Sequence, residues 1–140
     1  MPPMTIQTKK ILAIAGEHDL ILLRNLVREH AVALNFSSLY QTKLITAASE
    51  LARNIILYAK NGKVTLEQLN PTGRHGLKLT FEDQGPGIPD LKLAMQNNYS
   101  TGTGLGLGLP GAKRLVNEFD IKSTVGKGTT VTIILWKNGR

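Results

Sequence analysis

The residues best suited to chemistry form a glycine-rich stretch, Ser100-Thr101-Gly102-Thr103-Gly104-Leu105-Gly106-Leu107-Gly108-Leu109-Pro110-Gly111, which leads into an apolar helical pattern. Glycine has no Cβ and tolerates positive φ, so successive backbone N–H groups can turn toward an anion. A helix starting directly afterwards adds the partial positive charge of its N-terminus, and Pro110 fits its first turn. A mobile linker is the simpler alternative, but it gives no reason for leucines between the glycines. We therefore predict that this stretch binds phosphate.

Two further groups of polar residues have spacings that suit a binding site. Glu50 and Asn54 are four residues apart in a helical pattern, so they lie on one side of that helix beside its apolar stripe. Their polar groups need partners there, although an ordinary surface pair explains the spacing equally well. Asp83 ends a strand pattern and precedes Gly85-Pro86-Gly87-Ile88, a sequence that also suits a simple turn. Spacing alone does not decide whether either group forms a binding site or has only a structural role.

These residues need a framework of strands and helices to bring them together. A mix of polar and β-branched residues over 5–15 predicts a strand at a sheet edge. Strands are also predicted over residues 63–69 and 76–81, which alternate, and over 121–124 and 129–136, which Gly126-Lys127-Gly128 joins as a hairpin. Helical patterns predict helices over residues 18–34, from a cap at Ser37-Ser38 to about Ala59, over 89–95, and from the glycine stretch to near Phe119. The simplest architecture is an α/β (α+β) two-layer sandwich, in which helices cover one face of a mixed, mainly antiparallel sheet. A Rossmann fold would need its glycines in the first strand-to-helix turn, and a P-loop would need Gly-Lys-Ser/Thr at the helix start; neither arrangement is present.

Composition limits the kinds of protein that the chain can be. Its 140 residues, 41% of them hydrophobic, suit a single domain over residues 1–140. There is no cysteine, which excludes disulfides and thiolate metal sites. The apolar runs are far shorter than a membrane span, so we expect a soluble, cytoplasmic protein that contacts no membrane. The net charge of +7 favours anionic partners, but the basic residues are dispersed and only 5% of residues are aromatic, so we expect no nucleic acid.

The three motifs follow one another in the order found in the GHKL (Bergerat) ATPase superfamily, which the chain resembles over nearly its whole length. The closer resemblance is to the RsbT-type switch serine/threonine kinases, relatives of the anti-sigma-factor kinases. It rests on residues 49–55, 85–88, 99–102 and 104–111, with Gly128-Thr129 in the last hairpin.

The resemblance implies a role for each motif. Glu50 would accept the proton of the attacking hydroxyl, and Asn54 would be a ligand of Mg²⁺. Asp83 would accept a hydrogen bond from the adenine amino group, with Thr129 completing the adenine site. The other implied ATP contacts are Gly85, Gly87 and Ile88 beside the base, and Thr101, Gly102, Thr103, Gly104, Leu105, Gly106 and Leu107 at the phosphates. Residues 89–101 would form a lid. Many relatives have an arginine or lysine in this lid near the terminal phosphate, and Lys92 is the only basic residue of the lid here. Lys113 and Arg114 are the other candidates for neutralising that phosphate.

The resemblance also implies a function. The chain would be an ATP- and Mg²⁺-dependent kinase that phosphorylates a serine or threonine of a STAS-domain scaffold or antagonist protein in a stressosome-like module. When released, it would bind and activate a PP2C-type phosphatase. Two other classes stay open. One is a histidine-kinase-like catalytic domain, although neither His18 nor His30 has the setting of a phosphoacceptor, and the other is a nucleotide-gated anti-sigma or partner-binding module without turnover.

Overall fold

The computed structural model describes residues 6–90, 94–95 and 108–139. Five strands and three helices lie within these ranges, and two short helical turns connect them. In chain order they are β1 (Ile6–Ile14), α1 (Glu17–Ala33), α2 (Ser38–Asn54), a π-helical turn (Ile55–Ala59), β2 (Gly62–Leu69), a 3₁₀ turn (Pro71–Gly73), β3 (Gly76–Asp83), α3 (Gly108–Leu115), β4 (Glu118–Thr124) and β5 (Gly128–Trp136).

The strands form one sheet in the order β1-β2-β3-β5-β4. The predicted sheet was mixed and mainly antiparallel, and in the structure all four pairings are antiparallel. β1 occupies a sheet edge, as its mixed polar and β-branched pattern predicted. The two-layer α+β fold class is therefore confirmed.

Strand register arranges the helix-facing side chains in rows across the sheet, because alternate residues of each strand point to the same face. One row is apolar and belongs to the core, with all its members buried or half-buried: Leu12, Val64, Phe81, Val131 and Ile121. The next row, at the end of the sheet, reads Ile14, Gly62, Asp83, Thr129 and Ser123. Ile14 continues the core into this row on β1, but on β3, β5 and β4 the core stops before the polar side chains of Asp83, Thr129 and Ser123.

Helices α1 and α2 close the core with their predicted apolar stripes, which include Leu23 and Val27 on α1 and Leu44 and Leu51 on α2. Each buried side chain of this size contributes roughly 1.5–3 kcal/mol relative to an exposed one. The Ser37 hydroxyl accepts a hydrogen bond from the Tyr40 N–H at 3.2 Å, which confirms the predicted cap of α2.

Three predicted helix boundaries differ from the structure or fall partly outside it. The helix expected to reach Ala59 is α-helical only to Asn54 and continues as the π-turn. The helix expected to end near Phe119 ends at Leu115, and Phe119 lies in β4 opposite Ile133. Of the short helix expected over 89–95, residues 91–93 lie outside the described residues, and Ala94 donates to the Asp90 carbonyl at 3.0 Å.

Phe119 was assigned wrongly because its spacing from Leu115 and Val116 fits a helix as well as it fits a strand. Pairing with β5 decides the outcome. The Asn117 N–H donates to the Ile134 carbonyl at 3.0 Å, and the Asn117 side-chain oxygen accepts from the Trp136 N–H at 2.8 Å. These contacts with a distant strand end the helix before Asn117.

Candidate active site

A cavity of about 450 Å³ opens at the end of the sheet where the core stops. It lies between α2 with its π-turn, the ends of β3 and β5, the turn that follows β3, and the start of α3. Among the described residues most of the wall is apolar and includes Leu51, Ile55, Phe81, Leu109 and Val131. The polar side chains in the described part of the wall are Asn54, Tyr58, Asp83, Asp90 and Thr129. This size and lining are typical of a small-molecule site, in which a few polar groups fix the ligand's orientation.

Asp83 and Thr129 are direct cross-strand neighbours, and both line the cavity. One carboxylate oxygen of Asp83, Oδ1, accepts a hydrogen bond from the Gly85 N–H at 2.9 Å. The Thr129 hydroxyl lies 2.9 Å from the Ser123 hydroxyl on β4. An acceptor and a hydroxyl side by side in an apolar cavity suit a planar ring with polar groups on one edge.

The turn after β3 is fastened to the β4–β5 hairpin, which fixes the floor of the cavity. The Ile88 N–H donates to the Ser123 hydroxyl at 2.7 Å, and the Gly126 N–H donates to the Pro86 carbonyl at 2.8 Å. Gly87 has a φ of +77°, and a Cβ there would lie 2.5 Å from the Thr124 carbonyl oxygen.

Packing within the protein accounts for both glycines of this turn. A Cβ on Gly85 would lie 2.6 Å from the Cβ of Ala59 in the π-turn. Gly87 and Ile88 line the cavity, and Gly85 adjoins it through its contact with Asp83. Glycine is therefore needed at both positions by the packing of the turn against its neighbours.

The end of α2 separates the two residues of the Glu50/Asn54 motif. The described residues that line the cavity include Asn54 but not Glu50. The Glu50 carboxylate lies one turn earlier, 3.4 Å from Arg53 Nη1, and its side chain is 15% exposed. Asn54 is the last α-helical residue before the π-turn, and π-turns recur at functional sites because they change the direction of neighbouring side chains.

Helix α3 begins at the cavity, where Gly108, Leu109 and Pro110 form part of the wall. Pro110 lies in its first turn, as predicted, and the partial positive charge of the helix N-terminus adjoins the cavity. The predicted phosphate-binding residues 101–107 lie outside the described residues, as does Lys92. Lys113 and Arg114 lie on exposed positions in the last turn of α3.

Ser123 is a site residue that the sequence reasoning missed. Its hydroxyl contacts both the turn after β3 and Thr129. A serine in a short strand gives no local signal of such a role, because only the register of β4 against β5 brings it to this row.

Residues 40–139 match the model of the family described as histidine kinase-, DNA gyrase B-, and HSP90-like ATPase. The chain is also 48% identical over 123 residues to serine/threonine-protein kinase RsbT of Bacillus subtilis (strain 168). The aligned residues cover 88% of this chain and 92% of RsbT. It belongs to this ATPase family, among the RsbT-type serine/threonine kinases. The predicted family and the predicted enzyme class are thereby confirmed.

Two further comparisons place this RsbT-type kinase among its relatives. Anti-sigma F factor of Geobacillus stearothermophilus is 33% identical over 97 residues, which cover 64% of this chain and 65% of that protein. A crystal structure of the RsbU and RsbW domains of a Mycobacterium tuberculosis protein superimposes with a TM-score of 0.66 at 17% identity, covering 92% of this chain and 32% of the other. The structural match shows that the fold is shared.

No helix in the described part of the kinase combines the length and the apolar character needed to span a membrane.

Proposed function

We propose that this RsbT-type kinase binds Mg-ATP in the cavity and transfers the γ-phosphoryl group to a serine or threonine of a STAS-domain scaffold or antagonist protein. It would do so in the cytoplasm, as part of a stressosome-like module. One observation carries the proposal. Asn54, Asp83 and Thr129, from motifs far apart in the sequence, line a single cavity of about 450 Å³.

The end of the cavity at β3 and β5 fits an adenine base. With Oδ1 of Asp83 bonded to the Gly85 N–H, its second carboxylate oxygen can accept a hydrogen bond from an amino group. Thr129 supplies a hydroxyl on the neighbouring strand, and Phe81 and Val131 give the apolar walls that a planar ring needs. We assign Gly87 and Ile88 to the floor of this adenine site.

The part of the cavity at the start of α3 fits phosphates. The start of α3 brings the positive end of a helix dipole to the wall, and residues 101–107 directly before it are proposed to direct N–H groups at the phosphates. Asn54 would offer its carbonyl oxygen to Mg²⁺, an ion that commonly takes one or two protein oxygens beside phosphate oxygens and waters. Bound Mg²⁺ would neutralise charge on the transferred group.

Glu50 is the proposed acceptor of the proton that leaves the attacking hydroxyl. It precedes Asn54 by one turn of α2, and Arg53 holds its carboxylate on that side of the helix. A side chain only 15% exposed is restricted in its motion, which favours a positioned base. We further propose that the kinase, once released from its STAS-domain partner, binds and activates a PP2C-type phosphatase.

The decisive experiment is single-turnover phosphorylation of a STAS-domain partner by Glu50→Gln. A positioned general base contributes roughly 10²–10⁴-fold, so the rate should fall by that order while ATP and partner still bind. A Glu17→Gln variant, altered on the exposed start of α1, is the matched control and should keep the wild-type rate. A wild-type rate in Glu50→Gln would remove Glu50 from this role.

The same assay separates the two remaining classes. The similarity to anti-sigma F factors favours a nucleotide-gated binding module as the second candidate, for which partner binding would persist without any phosphorylation by the wild type. His30 is disfavoured as a phosphoacceptor because it is buried and bonded to Gln68. Acid-stable label on the partner would identify a phosphorylated hydroxyl, and acid-labile label would identify a phosphohistidine.

A further inference from the structure

Ser123 holds a central place in the hydrogen-bond network behind the cavity wall. Its hydroxyl oxygen lies 2.7 Å from the Ile88 amide nitrogen, 2.9 Å from the Thr129 hydroxyl and 3.3 Å from the Gly128 carbonyl oxygen. The first contact belongs to the turn after β3, and the other two belong to the start of β5. One side chain thus touches both protein segments that border the proposed adenine site.

Counting protons limits how these three contacts can be made. A hydroxyl has one proton to donate and two lone pairs to accept with. The Ile88 N–H can only donate, so it occupies a lone pair of Ser123. The serine proton then goes to Thr129 at 2.9 Å or to the Gly128 carbonyl at 3.3 Å. If Thr129 instead donated to the second lone pair of Ser123, the serine proton would be left with the 3.3 Å contact to Gly128, which is longer than the roughly 2.5–3.0 Å usual for hydroxyl–oxygen hydrogen bonds. Donation from Ser123 to Thr129 is therefore favoured.

We propose that Ser123 donates to Thr129 and so leaves the Thr129 proton free to be donated into the cavity. Ser123 is then a positioning residue that sets the polarity of the site. Thr129 becomes a donor directly beside Asp83, which only accepts when it is ionised. This inference rests on the proposed function, because it concerns how the nucleotide base is chosen.

The resulting pair of groups matches one class of purine. A 6-aminopurine presents a donor at position 6 and an acceptor at ring nitrogen 1, which complement Asp83 and Thr129 respectively. A 6-oxopurine presents an acceptor and then a donor, so both contacts are mismatched. The contrary proton arrangement, with Thr129 donating to Ser123, would remove the donor at position 1. Ser123 would therefore control the hydrogen bond from Thr129 to ring nitrogen 1 without contacting the base itself.

Nucleotide affinities test this role, measured by calorimetry with three ligands. They are ATP, 1-deaza-ATP, which lacks the ring nitrogen at position 1, and purine riboside triphosphate, which lacks the amino group. Wild type should prefer ATP over 1-deaza-ATP by roughly 2- to 10-fold, the size of one neutral hydrogen bond. Ser123→Ala should lower this ratio, because the Thr129 hydroxyl is then no longer held with its proton toward the cavity. It should leave the preference for ATP over purine riboside triphosphate, which reports on Asp83, unchanged.

Matched variants separate orientation of Thr129 from general support of the site. Ser123→Thr keeps the hydroxyl and should keep both ratios, as should Thr124→Ala, which changes the next, exposed side chain of β4. Ser123→Cys offers a weak donor of similar size and provides the same test if Ser123→Ala does not fold. Without nucleotide, the Ile88 amide should exchange faster in Ser123→Ala than in Ser123→Thr, because it has lost its acceptor.

Two results would overturn the inference. In the first, Ser123→Ala weakens all three nucleotides by the same factor, which means that Ser123 supports the site only structurally. In the second, wild type binds ATP and 1-deaza-ATP equally well. Wild type that binds none of the three nucleotides would instead refute the proposed function, so the two failures are distinguishable.

Discussion

Replacing Asp83 by asparagine tests the proposed adenine site with little change to the fold. In wild type, Oδ1 of Asp83 accepts from the Gly85 N–H at 2.9 Å. Asparagine can keep this contact through its own side-chain oxygen, since both residue types support such turns. Its NH₂ group then takes the place of the second carboxylate oxygen. A donor would face the amino group of adenine, where wild type has an acceptor.

The size of the effect follows from the contact that is lost. A hydrogen bond to a charged group contributes about 1.5–3 kcal/mol, which corresponds to roughly 10- to 150-fold in affinity. The unfolding free energy should change by no more than about 1 kcal/mol, because the turn keeps its hydrogen bond. ATP affinity and stability should therefore respond very differently to this one substitution.

Calorimetry with ATP and with purine riboside triphosphate measures the prediction. Asp83→Asn should weaken ATP by roughly 10- to 150-fold but should change purine riboside triphosphate little, because that ligand has no amino group to lose. Asp120→Asn, on an exposed position of β4, controls for the loss of one negative charge. An ATP affinity unchanged in a folded Asp83→Asn protein would refute the assignment, and so would an equal loss for both nucleotides.

Two further predictions concern stability. Gly85→Ala should lower the unfolding free energy in urea by about 1–3 kcal/mol, because its Cβ would lie 2.6 Å from that of Ala59, and adding Ala59→Gly should restore part of the loss. Strict additivity of the two changes would contradict the packing explanation. Burial chiefly lowers the pKa of His30 from its ordinary value of 6.5, with Lys10 acting in the same direction and Glu29 opposing it. The unfolded chain then binds this proton first, so stability should fall as the pH drops from about 6.5 toward the lowered pKa, and His30→Gln should lose that part of the dependence. Parallel stability curves for the two proteins would argue against it.

Local patterns in the sequence predicted most of the regular structure. Alternating residues identified β2 and β3, a periodic apolar stripe identified α1, and Ser37 was found as a cap. Such signals depend on neighbours within one or two turns of chain, so they can be read without knowing the fold. Local signals fail at Phe119, where the spacing predicted a helix but pairing with β5 places the residue in a strand.

The candidate site was predictable in part for the same reason. The Glu50/Asn54 spacing and the turn after Asp83 are local, and they were sufficient to suggest the family. That Asn54 lines the cavity while Glu50 turns toward Arg53 depends on where α2 changes to a π-turn. The need for Gly85 depends on Ala59, a residue that only packing brings close.

The sequence by itself determined which chemical groups this kinase possesses and the elements that carry them. Tertiary structure decided which of those groups meet. Asp83, Thr129 and Ser123 share one row only because β3, β5 and β4 pair in a particular register, and a shift of one residue would turn each side chain to the other face. Register is set by packing of the whole apolar face against the helices, so no short stretch of sequence contains it.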